Sequence, residues 1–203
     1  MQSGTKTVAS IVSIIIGLLC VVTVIAGMFK AISKPALDMP MFSMILGESE
    51  VNVAKENLKA TAEHMEEMYD IATDEEIEEM EAIAGVSVDE LIDDIRELSL
   101  NDAIKYSAIP DLDIDSDLYT LFNIFRWVVI GYALFIALFS LLGALIRKKV
   151  FTILANIFCP IFFIAFVGWE FLAVFIVLSI IHVVLVSIAR SKPAVPPVTY
   201  YQM

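Results

Sequence analysis

Asp111, Asp113, Asp115 and Asp117 alternate with Leu112, Ile114, Ser116 and Leu118, the odd-position rhythm in which a calcium loop presents its oxygens. The match breaks twice. Ser116 stands where the turn glycine of an EF-hand belongs, and Phe122 stands where its bidentate Glu belongs. What remains is a loose carboxylate candidate for Ca2+, set against a plainer role as a polar strap whose Ser116 or Asp117 caps the following helix. No other cofactor is implied.

A denser acidic group lies upstream, where Asp74, Glu75, Glu76, Glu78, Glu79 and Glu81 place six carboxylates in eight residues. Acids in a first helical turn suit the helix dipole, whereas those further along repel one another. Counter-ions or a cationic protein partner would relieve that repulsion; a solvated charged face is the alternative.

Catalytic constellations are missing. His64 is followed by Met65-Glu66-Glu67, which is not the HExxH spacing of a zinc protease, and His182 lies far away in an apolar run. The chain has no nucleophile elbow of the Gly-x-Ser-x-Gly type, no phosphate-binding glycine loop and no cysteine pair at zinc spacing. A non-enzymatic role is therefore expected. Asn156, Ser179 and His182, together with Ser140, are polar groups inside long apolar runs. Such groups hydrogen-bond between helices in lipid, or they line an intramembrane path for protons or ions.

The elements that must position these groups are set by apolar runs and the cations between them. At 59% hydrophobic residues and a mean hydropathy of +0.81, the chain belongs in a membrane. Val8 to Phe29 is uncharged over 22 residues, about 33 Å of helix at about 1.5 Å per residue. That exceeds the core of a secretory signal, and no cleavage site follows, so it is expected to remain as a first span. Ala9, Ser13 and Gly17 repeat every four residues along it, a face on which another helix can approach closely.

Arg147-Lys148-Lys149 separates two further uncharged runs and reads as a cytoplasmic turn under the positive-inside rule. Gly168-Trp169-Glu170 turns the chain again, and the last run ends at Arg190 and Lys192. Lys30 and Lys34 leave the orientation of the first span undecided; the five cations Arg147, Lys148, Lys149, Arg190 and Lys192 decide it.

The expected fold is thus an all-α integral membrane protein with four spans and both termini cytoplasmic. Residues 1–7 form the N-terminus and 8–29 span 1, and 30–118 form a small acidic helical domain outside. Span 2 covers 119–146, the basic turn 147–149, span 3 150–167, the outer turn 168–170 and span 4 171–189. Residues 190–203 form a Pro-rich cytoplasmic tail.

Of the 25 acids, 24 fall in the outer segment, against six cations, which gives it a formal charge of −18. Cys20 and Cys159 both lie in apolar runs, so the acidic segment must hold together by helix packing, and a loop without a cysteine pair favours a prokaryotic source.

Within that segment Pro35 and Pro40 interrupt helices around a Met/Phe cluster too short to span, which suggests an interfacial stretch over 30–47. Val51, Ala54, Leu58, Ala62, Met65, Met68, Tyr69 and Ala72 make one apolar stripe. Thr73-Asp74-Glu75-Glu76 is a capping box opening a helix with Ile77, Met80, Ile83 and Ala84 inward, and Gly85 suits its left-handed end. Ser87-Val88-Asp89-Glu90 repeats the signature ahead of Leu91, Ile92, Ile95 and Leu98.

The function expected from these features is a membrane protein that binds a protein partner through its acidic outer face. It would serve as an accessory subunit of a membrane complex or as an immunity protein against a cationic peptide or toxin. The alternative is a small oligomeric channel or transporter with an acidic, cation-concentrating vestibule. Membrane lipid and either a protein partner or further copies of the chain are the expected partners; the acidic balance offers nothing to nucleic acid.

Overall fold

The uncharged runs propagate as unbroken helices, because in an apolar surround a backbone satisfies its polar groups only within itself. The computed structural model describes residues 2–106, 116–146 and 148–190. Its helices in chain order are α1 (Gln2–Ser33), α2 (Pro40–Leu46), α3 (Glu48–Ile71), α4 (Asp74–Ala84), α5 (Val88–Arg96), α6 (Asp102–Lys105), α7 (Ser116–Ile146), α8 (Lys149–Phe162) and α9 (Trp169–Arg190). A short 3-10 turn covers Ala36–Asp38 and a π-helical turn covers Phe163–Val167. Among the described residues there is no β-strand, only an isolated antiparallel bridge between Pro35 and Ser99.

Four stretches are long and apolar enough to cross a membrane: Gly4–Ser33, Asp117–Ile146, Lys149–Val167 and Trp169–Ala189. They form a ring in the order α1, α7, α8, α9, each packed on two neighbours. Small residues permit the approach. A Cβ on Gly17 would lie 2.5 Å from Ala144 Cβ, and one on Gly143 would lie 2.5 Å from Thr152 Oγ1. The small-residue face read from the sequence is the packed one, since Ala9, Ser13 and Gly17 are all buried.

The first two spans run longer than the uncharged segments, because Lys6 and Lys30 continue α1 and Asp117 opens the apolar stretch of α7. The turn between α8 and α9 shrinks to Gly168, whose φ of 132° lies in the region that favours glycine. Pro160 lies inside α8 without ending it. The π-helical turn follows, with Gly168 N donating to Phe163 O at 2.7 Å. The wider turn brings Phe162, Phe163 and Phe166 inward, each 3% exposed or less. With Phe175 they fill the bundle at this end, which we call the domain end. The opposite one is the α7–α8 turn end. Lys30 Nζ, 3.1 Å from Glu170 Oε2, fixes the close of α1 beside the start of α9.

The acidic segment packs as helices on the domain end. α3 lies on α5, and Val51, Leu58 and Ala62 of α3 and Leu91 and Ile95 of α5 are buried. Residues 30–47 differ from a purely interfacial stretch. Pro40 occupies the first turn of α2, where its missing N–H costs nothing. Phe42 is fully buried between Phe122 and Phe125 of α7, with ring centroids 5.3 and 4.7 Å away. Of the Met, Phe, Ile and Leu side chains at 39–46, only Met44 and Ile45 turn outward.

The neck of the domain is backbone. Ala36 N donates to Leu98 O at 2.9 Å and Asn101 N to Ile32 O at 3.1 Å. Two residues of the expected inner stripes lie outside it: Met68 is 45% and Ile83 53% exposed. Helical period identifies a face, but the covering helix α5 is too short to reach its edges.

Candidate functional site

Two groups of side chains stand out, the acidic face of α4 and a polar seam inside the bundle. α4 begins at the capping box read from the sequence. Thr73 Oγ1 accepts from Glu76 N at 3.4 Å, while Glu76 Oε2 accepts from Thr73 N at 2.8 Å and from Thr73 Oγ1 at 2.9 Å. Those bonds, the backbone one foremost, hold the Glu76 carboxyl below the usual carboxylate range. Glu76 is thereby committed to the helix start. Gly85, at φ 71°, closes α4 in a left-handed cap, and Glu81 Oε1 accepts from Val88 N at 3.2 Å.

Asp74, Glu75, Glu78 and Glu79 point into solvent. No ion pair reaches any of the six α4 carboxylates among the described residues. Three cations of the segment pair with other carboxylates. Lys55 pairs with Asp38 at 2.5 Å, Lys59 with Glu63 at 3.6 Å, and Arg96 with Glu66 at 2.6 Å and Asp93 at 3.2 Å. α4 therefore presents an unneutralised acidic face.

Beyond α5, Tyr106 is buried and donates to Asp94, and both its burial and that carboxylate raise its phenol above the ordinary value. Lys34, half-buried where α1 ends, is pushed down by burial and then by the like charge of Lys30.

The polar residues expected inside the spans come together. Ser179 donates to Asn156, and His182 Nδ1 lies 3.5 Å from Thr152 Oγ1. Thr152, one helical turn before Asn156 on α8, was not among the residues singled out from the sequence, although the four-residue spacing on one helix face was there to be read. Ser13 and Ser140 are also buried. Ser13 Oγ, Ser140 Oγ and His182 Nε2 find no hydrogen-bond partner among the described residues.

The seam draws on all four long helices, with Gly17 and Gly143 packed at the same level. Toward the domain end it gives way to Phe162, Phe163, Phe166 and Phe175. A hydrogen-bonded seam that stops at an aromatic layer can lock helix register.

Asp111, Asp113 and Asp115 lie outside the described residues, and Asp117 sits exposed in the first turn of α7. Of the basic residues expected to set topology, Arg147 and Lys192 also lie outside them. Lys148 precedes α8 as its N-cap, Lys149 is its first residue and Arg190 ends α9. These three lie at the end of the bundle away from the acidic helices. Among the described residues no three His, Cys, Asp or Glu side chains gather as a metal-holding group.

The fold defines a class, an all-helical bundle of four membrane-length helices carrying an acidic helical cap. No protein-family model, no curated protein and no solved structure matches the chain.

Proposed function

We propose that this chain is a non-catalytic membrane interaction protein. Its four helices span the bilayer, its termini and the 147–149 turn face the cytoplasm, and residues 30–118 face outward. There the acidic face of α4 binds a cationic protein or peptide. The role is that of an accessory subunit of a membrane complex, or of a protective protein that intercepts a basic peptide or toxin.

The observation that carries this reading is the unneutralised state of α4, while Lys55, Lys59 and Arg96 pair with carboxylates outside α4. A solvated acidic surface that only needed to stay soluble would gain from placing some of its cations among its densest carboxylates. A segment of formal charge −18 also concentrates basic ligands and speeds their capture, an effect that fades as salt rises. Lys148, Lys149 and Arg190 at the opposite end support the orientation.

The test is a detergent pull-down of the tagged full chain from its own membrane, run beside a variant carrying Glu75→Gln, Glu78→Gln and Glu79→Gln. Glu76 is left unchanged, because its carboxylate belongs to the capping box. A stoichiometric partner with the native chain is expected, with recovery reduced at least about tenfold by the three changes, equivalent to losing one charge-assisted contact. Equal recovery from both would overturn the assignment to α4.

The buried polar seam favours one second reading, an oligomeric channel with the acidic cap as vestibule. Recovery of the chain alone, as a homo-oligomer that conducts cations in liposomes, would replace the first reading with this one.

A further inference from the structure

Where α1 leaves the bundle at Ser33, the neck between Pro35 and Ser99 separates two open cavities, of about 350 and 430 Å3. Pro35, Arg96 and Glu97 belong to both and form their common wall. The two cavities carry opposite charge. Lys55, Lys59 and Arg96 converge on the first, over a floor of Leu37, Leu58 and Leu98, with Asp38 and Glu97 as its only acids. Asp93, Asp94, Glu97 and Asp102 surround the second, where Arg96 is the lone cation. Half of the six cations in a segment of charge −18 thus gather at one cavity, directly beside four carboxylates.

The groups differ in how free they are to meet a ligand. Arg96 is held from both sides by Glu66 and Asp93 and acts as a fixed partition. Lys59 is 69% exposed and meets only Glu63, at 3.6 Å along its own helix, a contact that contributes little. Its ammonium can turn into the first cavity with almost no loss. Among the described residues the Glu97 carboxylate has no side-chain partner, while Asp94 and Asp102 each accept one hydroxyl hydrogen bond and keep further lone pairs.

We infer that this paired cavity binds a zwitterionic aminophosphate, a phosphate ester that also carries a primary ammonium. Its phosphate meets Lys59 and Lys55, and its ammonium meets Glu97 and Asp102. A simple anion would gain from the first cavity and be repelled by the second, and a simple cation the reverse; only a ligand with both charges gains from each. The neck follows directly on the end of a membrane-length helix, the level at which lipid headgroups lie. The source assigned is therefore an aminophospholipid of the bilayer, phosphatidylethanolamine in chemistry, rather than a soluble aminophosphate.

The test is native mass spectrometry of the full chain released from detergent, after incubation with equal amounts of phosphatidylethanolamine, phosphatidylglycerol and phosphatidylcholine. A parallel arm uses soluble glycerophosphoethanolamine as competitor. Preferential retention of phosphatidylethanolamine is expected. Lys59→Ala and Glu97→Gln should each lower it about tenfold, the loss of one charge-assisted hydrogen bond. Both side chains are exposed at the neck, so the variants should fold; unchanged melting temperatures would confirm it.

Equal retention of the three lipids would overturn the proposal. So would loss on Lys59→Ala with no effect of Glu97→Gln, which would describe an anion site only. Competition by glycerophosphoethanolamine at a concentration matching the lipid would overturn the bilayer as the source.

Discussion

Replacement of Gly17 by Leu is expected to cost about 3 kcal/mol or more of bundle stability, the upper end of what overpacking a core costs. A Cβ at this position would lie 2.5 Å from Ala144 Cβ, 3.2 Å from Ala144 Cα and 3.1 Å from His182 Nε2. Two of those neighbours belong to the backbone of α7 or sit directly on it, so no flexible side-chain end can swing away. The helices must separate, and in lipid they have no hydrophobic drive to re-associate and compensate for the lost contacts. Separation would also part His182 from Thr152 and expose the polar seam to hydrocarbon.

Gly131→Leu is the matched control, because a Cβ there meets nothing within 4 Å. Its effect should stay within about 0.5 kcal/mol. Thermal unfolding followed by size-exclusion chromatography in detergent reads both. Equal melting temperatures for the two variants would show that α1 does not pack on α7 and α9 through Gly17.

The second large effect is expected at Phe42. This ring is fully buried and is held edge-on by Phe122 and tilted against Phe125. Phe42→Ala should cost about 3–5 kcal/mol, the range for a buried Phe truncated to Ala. The loss is local, because the four long helices contact one another without it. Helix content should therefore change little, while the acidic segment becomes susceptible to limited proteolysis at the α2–α3 junction around Gly47. Phe42→Leu should restore most of the resistance by refilling the volume. Proteolysis unchanged in Phe42→Ala would mean that the neck hydrogen bonds alone hold the cap on the bundle.

How much of this was legible in the sequence depends on whether the cause was local. The spans were, because charge is absent from long runs and present between them. So were the α4 start, where Thr73 and Glu76 meet three residues apart, and its end at Gly85. The small-residue face of α1 was visible in Ala9, Ser13 and Gly17; Ser179 meets Asn156, whereas His182 lies against Thr152.

What depended on distant partners was not legible. The Met/Phe cluster at 39–46 suits a membrane surface as well as a core, and only α7 shows that Phe42 is enclosed. The π-helical turn has no local signature, since its gain is the aromatic layer formed with Phe175 of another helix. Ile83 follows the helical period of Ile77, Met80 and Ala84, yet it stays 53% exposed. The gathering of Lys55, Lys59 and Arg96 joins residues about forty positions apart, and no motif announces it.

The claim on which the rest depends is that the acidic cap and the basic turn lie on opposite sides of a membrane, with the cap outside. Labelling of single-cysteine variants in intact cells with a membrane-impermeant maleimide tests it directly. Cys20 and Cys159 are 2% and 0% exposed, so background from the native thiols should be low. Glu78→Cys is expected to label in intact cells, and Lys148→Cys only after permeabilisation. Labelling of Lys148→Cys in intact cells, with Glu78→Cys protected, would contradict the orientation and with it the capture of a partner from outside.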